Sequence, residues 1–319
     1  MFEMGSSLPV EHPSQELCRN ESNVIRELIK IPKEEIMQKR KLGNTGLSIT
    51  ALGYGAMELR HVDEQAAARL LNAVLDGGIN YVDTSPDYGP SEEFIGKAIA
   101  HRRTEFILAT KCGCNIDATG KGILPQKHIW TRQKLTENIE NSLRLLKTDH
   151  IDVWQMHGPF REELPGGKGD DVIETMLELK HQGKLRAIGM SFKTGGKTDS
   201  SQLPSAYGSD LAPYFLAWNV LDMIQIIYGG LERQNENIIT GAAKNGVGVV
   251  VRGVTRKYKP NYVEVFAQAR LNELCEPGET MNDFLIRFTL SHPGVSTPII
   301  GTKNLEHLAA NNRAASKGA

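Results

Sequence analysis

The chain has 319 residues, 40% hydrophobic and 24% charged, with a formal net charge of −1 at pH 7. This balance supports a packed core and excludes wholesale disorder, and it gives no electrostatic case for nucleic acid or a membrane surface as partner. Four cysteines (Cys18, Cys112, Cys114 and Cys275) make no disulfide framework, and no run of eighteen apolar residues could span a bilayer.

Residues 1–38 read as an extension ahead of a single domain over 39–319. The polar start, with Pro9 and Pro13 and no apolar h-region, is unlike a secretory leader, so a cytoplasmic location is expected. Val24, Ile25, Leu28 and Ile29 have helical spacing. Two short strand-like pieces flank Asn44-Thr45-Gly46, which predicts a β-hairpin. From Ala51 the pattern alternates strand and helix. The first strand spans Ala51–Gly55, and Asp63 caps a helix that ends at Gly77-Gly78. The apolar run from Ile79 to Asp83 is the second strand, closed by Thr84-Ser85-Pro86 and the turn chemistry of Asp87 and Gly89. A helix follows through Ile95 and Ile99. The third strand is Phe106–Lys111, followed by a long loop and a helix capped by Thr131. The fourth strand is Ile151–His157, with a helix marked by Val172, Met176 and Leu179. The fifth runs from Leu185 to Ser191, the sixth from Met223 to Tyr228 with a helix over Leu231–Lys244, and the seventh from Val247 to Arg252. Thr280-x-x-Asp283 is a capping-box signal, Ser296–Ile300 is the eighth strand, and Asn304 caps the last helix.

Eight strand–helix units predict a (β/α)₈ barrel, with the hairpin and the extension added at its N-terminus. A doubly wound sheet is disfavoured because no Gly-x-Gly-x-x-Gly follows the first strand. In a barrel the strand C-termini converge on one mouth, which brings together Asp83, Lys111 and His157 from strands two, three and four, with Tyr88 on a loop. A lysine ammonium close to a phenol lowers its pKa, and a buried lysine needs the counter-charge that Asp83 supplies. Tyr88 could then protonate a carbonyl oxygen as hydride reaches the carbon, with His157 orienting that oxygen.

Asp-Thr-Ser-Pro-x-Tyr-Gly (83–89), Ala-Thr-Lys (109–111) and Asp-Val-Trp-Gln-x-His (152–157) resemble the aldo-keto reductases. Leu-Gly-x-Thr-Gly-Leu-Ser (42–48) and Leu-Gly-x-Gly-x-Met (52–57) are similar to that family's hairpin and first strand. The resemblance runs in order from Arg40 to Arg313. It implies a catalytic tetrad of Asp83, Tyr88, Lys111 and His157, and a barrel that binds NADP(H) across its mouth without a Rossmann domain, with NAD(H) not excluded. Ser191 and Gln225 match the family's carboxamide-binding positions, although Phe192 stands where Asn is usual. Strand seven ends in Arg252 and carries no stacking tyrosine; the guanidinium could approach phosphates instead. Gly301, Thr302 and Lys303 resemble the adenosine-phosphate segment. Further along that helix, His307 and Ala310 replace the family's Arg and Glu, and Asn311 is retained.

The implied function is NADPH-dependent reduction of an aldehyde, ketone or sugar carbonyl, or the reverse oxidation of an alcohol. A nucleotide-binding regulatory or scaffold protein of the same fold is the alternative, and a Schiff-base lyase using Lys111 is a third reading. The small-molecule substrate is not legible; Tyr54, Met57, Phe160 and the Arg252–Tyr262 stretch are expected to line its pocket. That pocket is expected to be open, since the chain stops soon after the last helix. Cys112-x-Cys114 has no second pair at zinc spacing and no His-x-x-x-His occurs, so no metal is expected. Oligomeric state has no sequence signal.

Overall fold

The computed structural model describes residues 37–116, 123–159, 163–164, 168–192, 208–255 and 262–318. The helical spacing near Val24–Ile29 and the side chain of Phe160 lie outside them. Eight parallel strands close into a barrel in the order β3 (Gly53–Gly55), β4 (Tyr81–Asp83), β5 (Ile107–Cys112), β8 (Ile151–His157), β9 (Leu185–Ser191), β10 (Met223–Ile227), β11 (Gly248–Arg252) and β12 (Thr297–Ile300). The last seam pairs Ile299 with Gly53 and Ile300 with Tyr54. The expected (β/α)₈ architecture is thus the observed one.

Helices α1 (Glu64–Asp76), α2 (Ser91–Ala98), α3 (Arg132–Leu146), α4 (Lys168–His181), α5 (Gly208–Leu216), α6 (Glu236–Lys244), α7 (Tyr262–Gln268), α8 (Met281–Ser291) and α9 (Leu305–Ser316) follow the strands. Their starts obey local chemistry. Asp63 accepts from the Ala66 amide at 2.7 Å and Thr131 from that of Lys134 at 3.2 Å, each satisfying a donor the helix itself leaves open. Thr280 and Asp283 cap each other's amides in a full capping box. In α1, Ala67, Leu70, Leu71 and Val74 turn inward and join the layer between helices and barrel.

Inside the barrel the strand alternation sorts the side chains by height. Tyr81, Ala109, Val153, Ala187, Met223, Val250 and Ile299 form an apolar plug. The hairpin of β1 (Lys39–Lys41) and β2 (Ser48–Thr50) seals it from the N-terminal end, adding Leu42, Leu47 and Ile49 to the same cluster. Arg40 anchors the hairpin through the carbonyls of Val295 and Leu290, both at 2.9 Å. Two residues further along the same strands come Asp83, Lys111, Gln155, Gly189, Gln225 and Arg252, with Gly301 just past the end of β12. A period of two therefore turns an apolar floor into a polar mouth.

Three segments differ from the sequence expectation. The long loop after β5 contains a second antiparallel hairpin, β6 (Cys114–Ile116) and β7 (Ile123–His128). Pro125 lies in β7, where a two-stranded ribbon with open edges tolerates the missing donor. Helix α5 went unassigned because Pro213 interrupts its pattern. Helix α6 starts at Glu236 rather than Leu231, since Gly229 and Glu232 form an isolated bridge and the Asn235 side chain donates to the Ile227 carbonyl at 2.9 Å.

One buried carboxylate in this layer sets a pH dependence. Glu92 on α2 is 1% exposed and accepts from the Thr110 hydroxyl at 2.6 Å. Burial raises its pKa to about 7 against the pull of that hydrogen bond. The folded state then holds the proton more tightly than the unfolded chain, so this group costs stability as pH rises from about 4.5 towards 7. Glu92→Gln should leave the melting temperature unchanged near pH 4 and raise stability at pH 8 by roughly 2–3 kcal/mol. Equal effects at both pH values would show that Glu92 is not the source.

Candidate active site

Five inward side chains from neighbouring strands form one hydrogen-bonded array at the barrel mouth. The Lys111 ammonium donates to Asp83 Oδ1 and to the Thr84 carbonyl, each at 2.7 Å. Asp83 Oδ2 accepts from Gln155 Nε2 at 2.7 Å and from Gln225 Nε2 at 2.8 Å. Ser191 closes the array by donating to Gln225 Oε1 at 2.8 Å. Gly189 gives this array its room, because a Cβ there would sit 2.9 Å from Gln155 Cγ and 2.5 Å from Met223 Sδ. Both members of the ion pair are sequestered, at 1% and 2% side-chain exposure.

Above this floor, Tyr88 sits on the turn after β4, with its ring centroid 5.1 Å from Lys111 Nζ. The His157 ring meets it edge-on at 6.4 Å, and Arg60 caps it at 5.9 Å. The structure thus gathers Asp83, Tyr88, Lys111 and His157 at one point. Burial opposes the charge on Lys111, but Asp83 and Tyr88 outweigh it and hold the pKa above its ordinary value. For Tyr88 the balance is reversed. Burial raises its pKa, and the lowering by Lys111 expected from sequence is present but smaller. The phenol therefore keeps its proton at neutral pH. Burial depresses His157 to about 3 despite the pull of Asp87, so the imidazole is neutral. Its Nδ1 faces Ser85 Oγ at 3.4 Å, Cys114 Sγ at 3.2 Å and Asp87 Oδ2 at 3.6 Å.

A cleft of about 1270 Å³ opens over these groups. Asp83, Tyr88, His157, Ser191, Gln225 and Arg252 line it together with Met57, Gly301, Thr302, Lys303, His307 and Asn311. Arg252 donates to the Phe192 carbonyl at 2.6 Å. Asn304 caps α9 by accepting from the His307 amide at 3.0 Å, and Lys303 and His307 at that helix start line the cleft. Tyr54, expected in the pocket wall, is fully buried in the layer between barrel and helices, where its hydroxyl donates to the Thr302 carbonyl at 2.9 Å. Sequence reading passed over Gln155, although its place midway between Val153 and His157 on the inward face of β8 carried the signal. Asn282, which donates to Asn311 at 2.9 Å and lines the cleft, was also missed, since nothing local marks a residue at a helix start as site-facing.

The cleft's donor set suits a nicotinamide dinucleotide. A carboxamide can meet Ser191 and Gln225, and phosphates can meet the helix N-terminus, Lys303 and Arg252. The volume is at the upper end of, or above, that of ordinary small-ligand pockets.

The sequence matches the description of the aldo/keto reductase family over residues 51–317. It is 29% identical over 303 residues to the uncharacterized oxidoreductase YqkF of Bacillus subtilis, covering 88% of this chain and 91% of that protein. It is 28% identical to the NADH-specific methylglyoxal reductase of Escherichia coli over 257 residues, 70% of this chain and 72% of the relative. Among solved structures, the holo form of aldo-keto reductase AKR11C1 from Bacillus halodurans superposes with a TM-score of 0.72 at 31% identity, covering 87% of this chain and 90% of that one.

The buried ion pair predicts an asymmetric cost. Lys111→Met leaves Asp83 charged in the interior and should cost about 3–5 kcal/mol in urea unfolding. Adding Asp83→Asn keeps an acceptor for the two glutamines and should recover at least half of that. A single variant as stable as the parent would mean the pair does not anchor the mouth.

Proposed function

The chain belongs to the aldo/keto reductase family, and from that premise we propose that it reduces an aldehyde, ketone or sugar carbonyl with NADPH, using Tyr88 as the acid. The observation that carries the reading is a charged lysine held by Asp83 and set 5.1 Å from a protonated tyrosine on the wall of a large open cleft. The nicotinamide, when bound, supplies the hydride. Tyr88 gives its proton to the carbonyl oxygen, and the phenolate that remains faces the Lys111 ammonium, whose attraction offsets the penalty of burial. Asp83 keeps Lys111 charged and aimed. Neutral His157 donates a hydrogen bond to the same oxygen and fixes its direction. Water entering the cleft returns the proton to Tyr88.

The preference for NADPH rests on charge. Lys303, Arg313 and Lys317 border the adenosine end of the cleft and suit a 2′-phosphate. A Schiff-base role for Lys111 fits poorly, because the amine must be neutral to attack a carbonyl and here it is held charged. The cleft fits a small molecule, and among the described residues no helix is long and apolar enough to cross a membrane.

Fluorescence titration with NADPH and NADH, followed by turnover on a carbonyl panel, tests the reading. NADPH should bind more tightly, and Tyr88→Phe should lose about 10²–10⁴-fold in turnover with nucleotide affinity retained. Unchanged turnover in that variant would remove Tyr88 as the acid. Tight binding without turnover on any carbonyl would favour a regulatory protein of the same fold.

A further inference from the structure

The hairpin after β5 brings Cys114 and His128, two residues the reductase chemistry does not use, against His157, which it does. Cys114 and His128 are directly opposite each other in the β6–β7 ribbon, so their side chains leave the same face. His157 meets that face from the end of β8. Its Nδ1 is 3.2 Å from Cys114 Sγ, and its ring centroid is 6.1 Å from that of His128. One ligand atom from each of the three residues lies within 4.8 Å of the other two. A tetrahedral zinc ion, with bonds of about 2.3 Å to sulfur and about 2.0–2.1 Å to nitrogen, spaces its ligand atoms about 3.3–3.6 Å apart. The His157 Nδ1–Cys114 Sγ distance of 3.2 Å is already close to that spacing.

The surroundings hold these groups in place. The buried Asn138 accepts from the Gly113 amide at 3.1 Å and donates to the Cys114 carbonyl at 3.2 Å, gripping the backbone around the cysteine. Trp130 stacks on His128 with centroids 5.6 Å apart and covers Gly113, where a Cβ would meet the indole at 2.3 Å. With φ of +85° as well, that position requires glycine. Glu163 Oε1 lies 3.7 Å from His128 Nδ1. A carboxylate on the far nitrogen is the usual partner that orients a metal-ligating imidazole. Asp87 Oδ2, 3.6 Å from His157 Nδ1, places a negative charge beside the cluster.

We propose that Cys114, His128 and His157 form a site for one zinc ion, with water completing the tetrahedron. One thiolate and two imidazoles select zinc over magnesium or calcium, which prefer all-oxygen shells. Binding replaces the Cys114 thiol proton with the metal, and that proton leaves to solvent. Coordination at Nδ1 keeps the His157 proton on Nε2 and ties occupancy to the donor that faces the carbonyl. The link to turnover rests on the reductase reading; the binding itself does not.

Cobalt(II) serves as the spectroscopic probe on full-length protein stripped with a chelator. The expected result is a thiolate-to-cobalt charge-transfer band and tetrahedral d–d bands that saturate at one equivalent and are displaced by zinc. Cys114→Ser should abolish the charge-transfer band, and His128→Asn should weaken zinc binding at least tenfold, with circular dichroism as the fold control for both. An octahedral spectrum without the band, or binding unchanged in both variants, overturns the site. Because cobalt absorption needs no catalysis, a failed turnover assay and a failed metal site are told apart.

Discussion

A lysine ammonium inside a protein is tolerated only with a counter-charge and full hydrogen bonding, and the mouth of this barrel is arranged around that demand. Lys111 has its carboxylate on the adjacent strand and the Thr84 carbonyl as a further acceptor. Asp83 then needs donors of its own, which arrive as Gln155 and Gln225, and Gln225 in turn needs Ser191. Five strands are thereby stitched together at one height by polar groups that satisfy one another. The same chain of obligations makes Lys111 charged at neutral pH and so useful to a neighbouring phenol.

The site divides its ionisable groups by role rather than by exposure alone. Tyr88 and His157 are both pushed by burial towards their neutral forms, while Lys111 is kept charged by its partners. A neutral phenol that can give up a proton beside a fixed cation is an acid with its conjugate base already accommodated. A neutral imidazole adds a donor without adding a second positive charge next to the first. The opposing directions follow from partners: Asp83 bonds directly to the Lys111 ammonium, whereas burial outweighs the charges around Tyr88 and His157.

Much of this was legible in the chain itself. Alternating apolar runs and caps marked the eight strands, and the strand ends at Asp83, Lys111 and His157 pointed to a common mouth because parallel barrels open at that end. What stayed hidden depended on contacts between distant segments. The inward position of Gln155 was readable from its strand, but its partner Asp83, 72 residues away, was not. Cys114 and His128 are separated by fourteen positions, and only the pairing of their two strands makes them neighbours. Tyr54 shares its strand with residues near the mouth, yet its neighbours turn it into the wall between barrel and helices. Local pattern reports periodicity; it does not report which partner a side chain meets.

The hairpin that seals the barrel floor also imposes an order on events during synthesis. Leu42, Leu47 and Ile49 leave the ribosome before any barrel strand, but their resting place is lined by Met223, Val250 and Ile299. Arg40 finds its acceptors 250 and 255 residues downstream. The earliest-made part of the described structure therefore cannot complete its native contacts until nearly the whole chain has emerged. Closure of this barrel is a long-range step, with the slow kinetics and exposure to off-pathway association that such topology brings.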